Sequence, residues 1–227
     1  MIPLKDNVNT AKFPFVNYLL LTLNIILFAY VVLGENNLNR FYYEYGLIPA
    51  KFISVKNFDI LERIKPFFTS MFIHGSLFHI TGNMLFLYIF GDNIEDEVGH
   101  FNYIIFFLIC GFVAALFQIF SNMNSQIPMI GASGAVSGVL GAYLVFFPYS
   151  RILTLVPIFI FIQLIYIRAS IFIFIWFLIQ FISGVVRFGL VEGAGGIAFW
   201  AHIGGFLCGI LFANIYRNKQ IRHRIYH

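Results

Sequence analysis

Apolar stretches long enough to cross a bilayer follow one another along most of this chain, and they leave few folds open to it. Six stand out, at residues 15–33, 79–90, 103–120, 130–147, 170–186 and 197–215. A helix rises about 1.5 Å per residue, so about 20 apolar residues match a hydrocarbon core of ~30 Å. Inside lipid each backbone N–H and C=O must be paired within the protein, which makes spans of this length helices. The second stretch is short for a full span unless residues 67–73 dip into the membrane ahead of it. The expectation is an all-α polytopic membrane protein: a six-helix transmembrane bundle forming one domain over residues 1–227, with short cytoplasmic tails at about 1–13 and 216–227.

Composition agrees. Hydrophobic residues make up 60% of the chain and charged residues only 11%, against about 25% charged in soluble domains. The net charge of +4 sits mostly near the two ends, where membrane topology accounts for it, and it does not point to nucleic acid. Cys110 and Cys208 fall inside apolar stretches and read as buried thiols rather than a disulfide. The first stretch follows Lys5 and Lys12 as a signal sequence would. It is too long for that and lacks a small-x-small cleavage site, so it reads as a retained helix.

Lys and Arg set the orientation. With six spans, Lys5, Lys12, Arg151, Arg168, Arg217, Lys219, Arg222 and Arg224 share one face. That face is cytoplasmic, both termini lie on it, and a bacterial plasma membrane is inferred from topology and size. Residues 152–167 are apolar but interrupted by Pro157 and bracketed by Arg151 and Arg168. They are expected to be an interfacial segment rather than a seventh span. The long loop between helices one and two carries Phe41, Tyr42, Tyr43 and Tyr45. Such aromatics favour the headgroup level, so the loop is either partly interfacial at the outer leaflet or an ordinary folded loop.

Polar side chains inside the spans are few and converge. Ser133, His202, His79 and Asn83 come from three helices that all enter from the outer face, which puts them in one slab of the outer leaflet. Polar groups at that depth are costly and default to a functional role. His79 and Asn83 are four apart and share a helix face. Gly134, Gly138 and Ala142 recur at every fourth residue, as do Ala201, Gly205, Gly209 and Ala213. Two such stripes let helix backbones approach closely in lipid and would carry His202 towards Ser133.

A serine hydroxyl needs a base within hydrogen-bond reach before it is a useful nucleophile, and histidine is the usual one. Gly131 and Gly134 flank the serine and leave room for a substrate carbonyl. The resulting oxyanion needs donors already in place, and the Ser133 N–H, His79 and Asn83 are candidates. None of the ten Asp and Glu residues lies within a span. Glu192 is the nearest outside His202, so a pair is expected rather than a Ser-His-Asp triad. No H-E-x-x-H occurs and no carboxylate is placed to join His74 and His79, so no metal and no cofactor are expected. Taken singly, G-x-S-G is a weak signal and His202 could be a packing histidine. His74 reads as a loop-positioning group and Ser137 as a packing residue or a back-bond to the helix.

These residues resemble the rhomboid intramembrane serine proteases. The likeness runs from Tyr45-Gly46-Leu47-Ile48-Pro49 to Gly209. It is strongest in His74-Gly75-Ser76-Leu77-Phe78-His79-Ile80-Thr81-Gly82-Asn83, in Gly131-Ala132-Ser133-Gly134 and in Ala201-His202-Ile203-Gly204-Gly205. The resemblance implies Ser133 as nucleophile, His202 as general base, His79 and Asn83 at the oxyanion, and a structural role for Glu95. It implies a compact six-helix bundle with a water-filled cavity opening outward, acting on transmembrane protein substrates within the lipid bilayer. Two departures stand out. The first loop has no Trp-Arg pair, and Ser137 occupies the place where many relatives stack an aromatic ring on the histidine, leaving Phe199 or Phe206 to orient His202. A non-catalytic relative that binds transmembrane helices is the alternative; a small transporter is disfavoured because no span has a charged centre.

Overall fold

The structure, a computed structural model, describes residues 1–54, 59–158, 161–187 and 198–226. In chain order it contains β1 (Ile2–Lys5), α1 (Phe15–Gly34), α2 (Leu38–Tyr45), α3 (Pro49–Ser54) and α4 (Ile60–Thr69), the last running into a 3-10 turn at Ser70–Phe72. Then come α5 (Leu77–Val98), α6 (His100–Ser121), α7 (Ser133–Phe146), β2 (Arg151–Ile158), β3 (Phe161–Arg168), α8 (Ala169–Arg187) and α9 (Phe199–Tyr226). Among the described residues, α1, α6, α8 and α9 are long and apolar enough to cross a membrane. The segment Ile60–Phe72 and α5, bent by 84° to each other, make up to one more. The chain is therefore a mostly helical integral membrane protein. Length alone does not reach the expected six, because α7 has only 14 residues, about 21 Å of rise.

Every residue of α7 from Gly134 to Tyr143 is buried, as befits a helix that is apolar all round. Its partner is α9, and the small-residue stripes are the seam between them. A methyl group built on Gly205 would land on the Gly134 carbonyl oxygen, and one on Gly209 would land on that of Gly138. Gly141 meets the Phe206 carbonyl in the same way. Glycine is required here by space, since backbone is pressed against backbone.

The other elements are locked by specific caps. Ser76 starts α5 by accepting from the His79 N–H at 3.2 Å. The α5–α6 turn is made at Gly99 with φ 82°, a left-handed conformation that costs glycine little. α1 follows Pro14 and has no cap of its own. Glu95, from α5, supplies it by accepting from the N–H of Val16 (2.8 Å) and of Asn17 (2.6 Å). Asn17 in turn donates to the Leu87 carbonyl (3.0 Å) and accepts from the Tyr103 hydroxyl (2.9 Å), which ties α1, α5 and α6 together.

The fold is not all-α. β1, β2 and β3 form an antiparallel sheet in that order, so the stretch expected to lie at the interface is folded as the antiparallel pair β2–β3. Their content explains it: Ile, Val, Thr, Tyr and Phe dominate and favour strands. Pro157 denies a helix its hydrogen bond, whereas β1 reaches only to Leu155, so at Pro157 β2 has a free edge, where proline is tolerated. The N-terminal residues expected as a tail join this sheet through β1, with Ile2 opposite Leu155. The long first loop is also folded. Leu47 and Met129 exchange backbone hydrogen bonds of 3.0 and 2.8 Å, and Leu47 and Phe67 bury against Ala115 and Ile119 of α6.

Candidate active site

Ser133 is the first residue of α7, and the turn before it is held from two sides. The Gly131 N–H donates to the Ser70 carbonyl at 2.8 Å, and the Ala132 N–H to Nε2 of buried His74 at 3.4 Å. His74 is thus a loop-positioning group. Gly131 has φ 116°, and a methyl group there would lie 2.5 Å from His79 Nε2, so both conformation and space demand glycine. The N-cap Ala132 offers no side-chain cap. That leaves the first N–H groups of α7, beginning with Ser133, as unclaimed donors at a positive helix end.

A cavity of about 860 Å³ opens beside this turn, and Ser133, His79, Asn83 and His202 all line it, as do Gly131 and Gly134. The seam sets the height of His202: Gly134 is level with Ala201 and Gly205 on α9. His202 is buried, at 7% exposure. Its Nδ1 lies 2.8 Å from Oε1 of Gln180 on α8, while Nε2 is buried without a hydrogen-bond partner. A Ser133–His202 hydrogen bond is therefore not formed in this structure. Catalytic hydrogen bonds are often loose before substrate binds. Asn83 Nδ2 donates to the His79 carbonyl at 3.2 Å and keeps its second N–H. Gln118 of α6 accepts from the Ala201 N–H at 3.3 Å, closing the first turn of α9 beside His202.

Ser137 makes the back-bond foreseen for it, donating to the Ser133 carbonyl at 2.6 Å. Of the two rings named from sequence to orient His202, Phe199 meets it edge-on at 6.3 Å, whereas Phe206 stacks on Phe177. Sequence reasoning missed Trp176, 6.1 Å from the imidazole, and Gln180. It also missed that Tyr42 and Tyr43 of α2 reach the cavity. Gln180 had a legible signal, a polar side chain within an apolar span. Glu192 lies outside the described residues, and among those described no carboxylate lines the cavity. Among the described residues no group of three His, Cys, Asp or Glu is placed to hold a metal ion. Cys110 and Cys208 are free thiols.

Comparison with known proteins finds rhomboid relatives. RHOMBOID-like protein 1 of Arabidopsis thaliana is 31% identical over 149 residues, 66% of this chain and 33% of the relative. Rhomboid protein 1, mitochondrial, of Saccharomyces cerevisiae is 26% identical over 206 residues, 86% of this chain and 51% of the relative. Presenilin-associated rhomboid-like protein, mitochondrial, of Mus musculus is 28% identical over 172 residues, 71% and 42% of the two chains. The chain thus spans between a third and a half of the length of these curated relatives. Two of the three are named as mitochondrial, which lends no support to the bacterial plasma membrane inferred from topology and size. The family model described as Rhomboid domain matches residues 62–219, a stretch that contains most of α4, all of α5, the Ser133 turn and the α7–α9 seam, and the chain belongs to the rhomboid family.

Proposed function

We propose that this protein is an intramembrane serine endopeptidase that hydrolyses a peptide bond in or near the transmembrane segment of membrane-protein substrates. The observation that carries this reading is the pairing, in one cavity, of Ser133 at an uncapped helix start with a buried His202 whose Nε2 has no partner. Neither feature is needed to hold helices together. A buried polar atom left unpaired calls for an explanation, and a proton-accepting role supplies one.

In this reading Ser133 Oγ attacks the substrate carbonyl carbon while its proton passes to His202 Nε2. The carbonyl oxygen becomes an oxyanion and accepts from the Ser133 N–H, from the free N–H of Asn83 Nδ2 and from His79. Collapse of the tetrahedral intermediate breaks the C–N bond, and the Nε2 proton goes to the departing amine. Water then attacks the acyl ester, with Nε2 taking its proton; the acyl–Oγ bond breaks, the carboxylic acid departs, and Nε2 returns the proton to Ser133 Oγ. The six crossings are α1, the bent α4–α5 pair, α6, α7, α8 and α9, with short α7 enclosed by its neighbours. Both termini are cytoplasmic, which places the end of α5, β1 and the hairpin on the inner face and the cavity mouth on the outer.

The test is labelling of the purified protein in detergent with a fluorophosphonate, read by peptide mass spectrometry. Label is expected on Ser133, with none in Ser133→Ala and none in His202→Ala. A folded preparation that takes no label would end the protease reading and favour a helix-binding role.

A further inference from the structure

We propose that Gln180 is the positioning residue that holds His202 in its working tautomer, in place of both an acidic third member and a stacked ring. The inference rests on the protease reading, and the experiment below separates the two. A histidine can serve Ser133 as base only if the nitrogen facing the serine carries a lone pair, so the other nitrogen must carry the proton. Which nitrogen is protonated is decided by the partner of the other one. Here Nδ1 has a partner, Gln180 Oε1 at 2.8 Å, and Nε2 has none. A carbonyl oxygen can only accept, so the Nδ1–H donates to it and the lone pair is left on Nε2.

Two observations make the amide necessary rather than incidental. At one helical turn after Ser133 the chain has Ser137, whose hydroxyl is used up on the Ser133 carbonyl, so nothing from α7 lies flat on the imidazole. Around His202, the rings of Trp176 and Phe199 stand at 6.1 and 6.3 Å, tilted by 38° and 83°. They bound the ring without fixing its rotation; the hydrogen bond fixes it. Gln180 sits four residues after Trp176, so the two share one face of α8, and both line the cavity. Among the described residues, the titratable groups near His202 are His79 across the cavity, His74 in edge contact with His79 at 5.0 Å, and Tyr42 and Tyr43 of α2. Cavity-lining residues of α6, α7 and α8 add no charge. Gln180 is thus the hydrogen-bonding group on His202, and it orients without adding a negative charge.

The experiment follows fluorophosphonate labelling rates across pH in detergent for wild type, Gln180→Leu, Gln180→Glu and Ser133→Ala. Alongside it, nitrogen-15 NMR of histidine-labelled protein is recorded for wild type and Gln180→Leu, both in the Ser133→Ala background. Wild type should show a neutral His202 protonated at Nδ1, and Gln180→Leu should lose that signature. Labelling in Gln180→Leu should slow by at least about tenfold, by analogy with the large loss when a catalytic histidine takes the wrong tautomer. Gln180→Glu should recover most of the rate. The acidic limb of its pH profile should move to higher pH, because a carboxylate favours the protonated ring. Wild-type labelling in a folded Gln180→Leu variant overturns the inference, as does a wild-type spectrum with the proton on Nε2. A Gln180-dependent Nδ1–H signature in a wild-type protein that takes no label overturns the protease reading, and with it the catalytic purpose of the contact.

Discussion

The carboxylate of Glu95 accepts from the Asn17 backbone N–H at 2.6 Å, across 78 residues of chain, and so finishes a helix to which it does not belong. Its other oxygen takes the Val16 N–H and pairs with His100. Glu95 is 1% exposed, so no water can replace it. Glu95→Ala leaves two helix-start donors unsatisfied and should destabilise the protein by about 2–4 kcal/mol. Thermal unfolding in detergent should show this, with Glu95→Gln losing less because one acceptor oxygen remains.

The same contact marks what could be read without a structure. Glu95 was legible as structural only through a resemblance, since nothing in its local sequence names a partner 78 residues away. The α7–α9 seam was legible directly, because a four-residue repeat of small side chains can serve one purpose in lipid. The hairpin was not. Its apolar run satisfies a hydropathy window as well as a helix does, and a run of that kind cannot be assigned by periodicity. Gln180 was half legible: a polar side chain within an apolar span signals a role, but which role depends on Nδ1 of His202 lying 2.8 Å away.

Gly205→Ala tests the seam. The new methyl group would meet the Gly134 carbonyl oxygen, so α7 and α9 must separate and carry Ser133 away from His202. Overpacking of this kind costs about 1–3 kcal/mol. Melting temperature and fluorophosphonate labelling should both fall. Gly82→Ala is the control, because its methyl group would have no neighbour within 4 Å; it should keep the melting temperature or raise it slightly, as helix-interior alanine is favoured over glycine.

Asn83→Ala should weaken the reaction without ending it. In the proposed mechanism it removes one of several oxyanion donors, a loss of about 10²–10³ in rate. Its own structural bond is a 3.2 Å back-bond to the His79 carbonyl, so the fold should survive. Labelling rate should drop by that factor while the unfolding temperature stays near wild type. Equal losses in both would assign Asn83 to structure instead.

Asp6 gives the packing of the N-terminal segment against α5 and α7 a pH dependence. It accepts from Asn93 Nδ2 at 2.9 Å and from the Tyr143 hydroxyl, and burial pushes its carboxyl above the usual range, only partly offset by these bonds. A carboxyl raised on folding binds its proton more tightly in the folded state. Its contribution to stability is therefore full below the ordinary Asp value of about 3.9 and is lost as pH rises through the folded value. Wild type should gain stability relative to Asp6→Asn as the pH is lowered from neutral towards 4. Melting curves of the two proteins across that range should diverge in this sense, and parallel curves would remove Asp6 from the account.

Arg151 and Arg168 are paired directly across the base of the hairpin, and no acidic side chain bridges them among the described ion pairs. Like charges placed opposite one another destabilise a sheet, unless an anion lies between them. Beyond the arginines, Phe161, Ile162, Leu164 and Tyr166 are exposed, and β3 is an edge strand. Open strand edges are not tolerated in hydrocarbon, so the hairpin cannot plunge into the acyl core. A resting place at headgroup level satisfies all three features: lipid phosphates for the arginines, water for the edge, and acyl chain tops for the apolar side chains. In vesicles containing anionic lipid, a fluorophore attached at Ile162→Cys in a cysteine-free background should be quenched by lipids spin-labelled near the headgroup more than by those labelled at the chain end. Arg151→Ala with Arg168→Ala should reduce that quenching. Free access of aqueous iodide in wild type, with no lipid quenching, would instead place the hairpin in water.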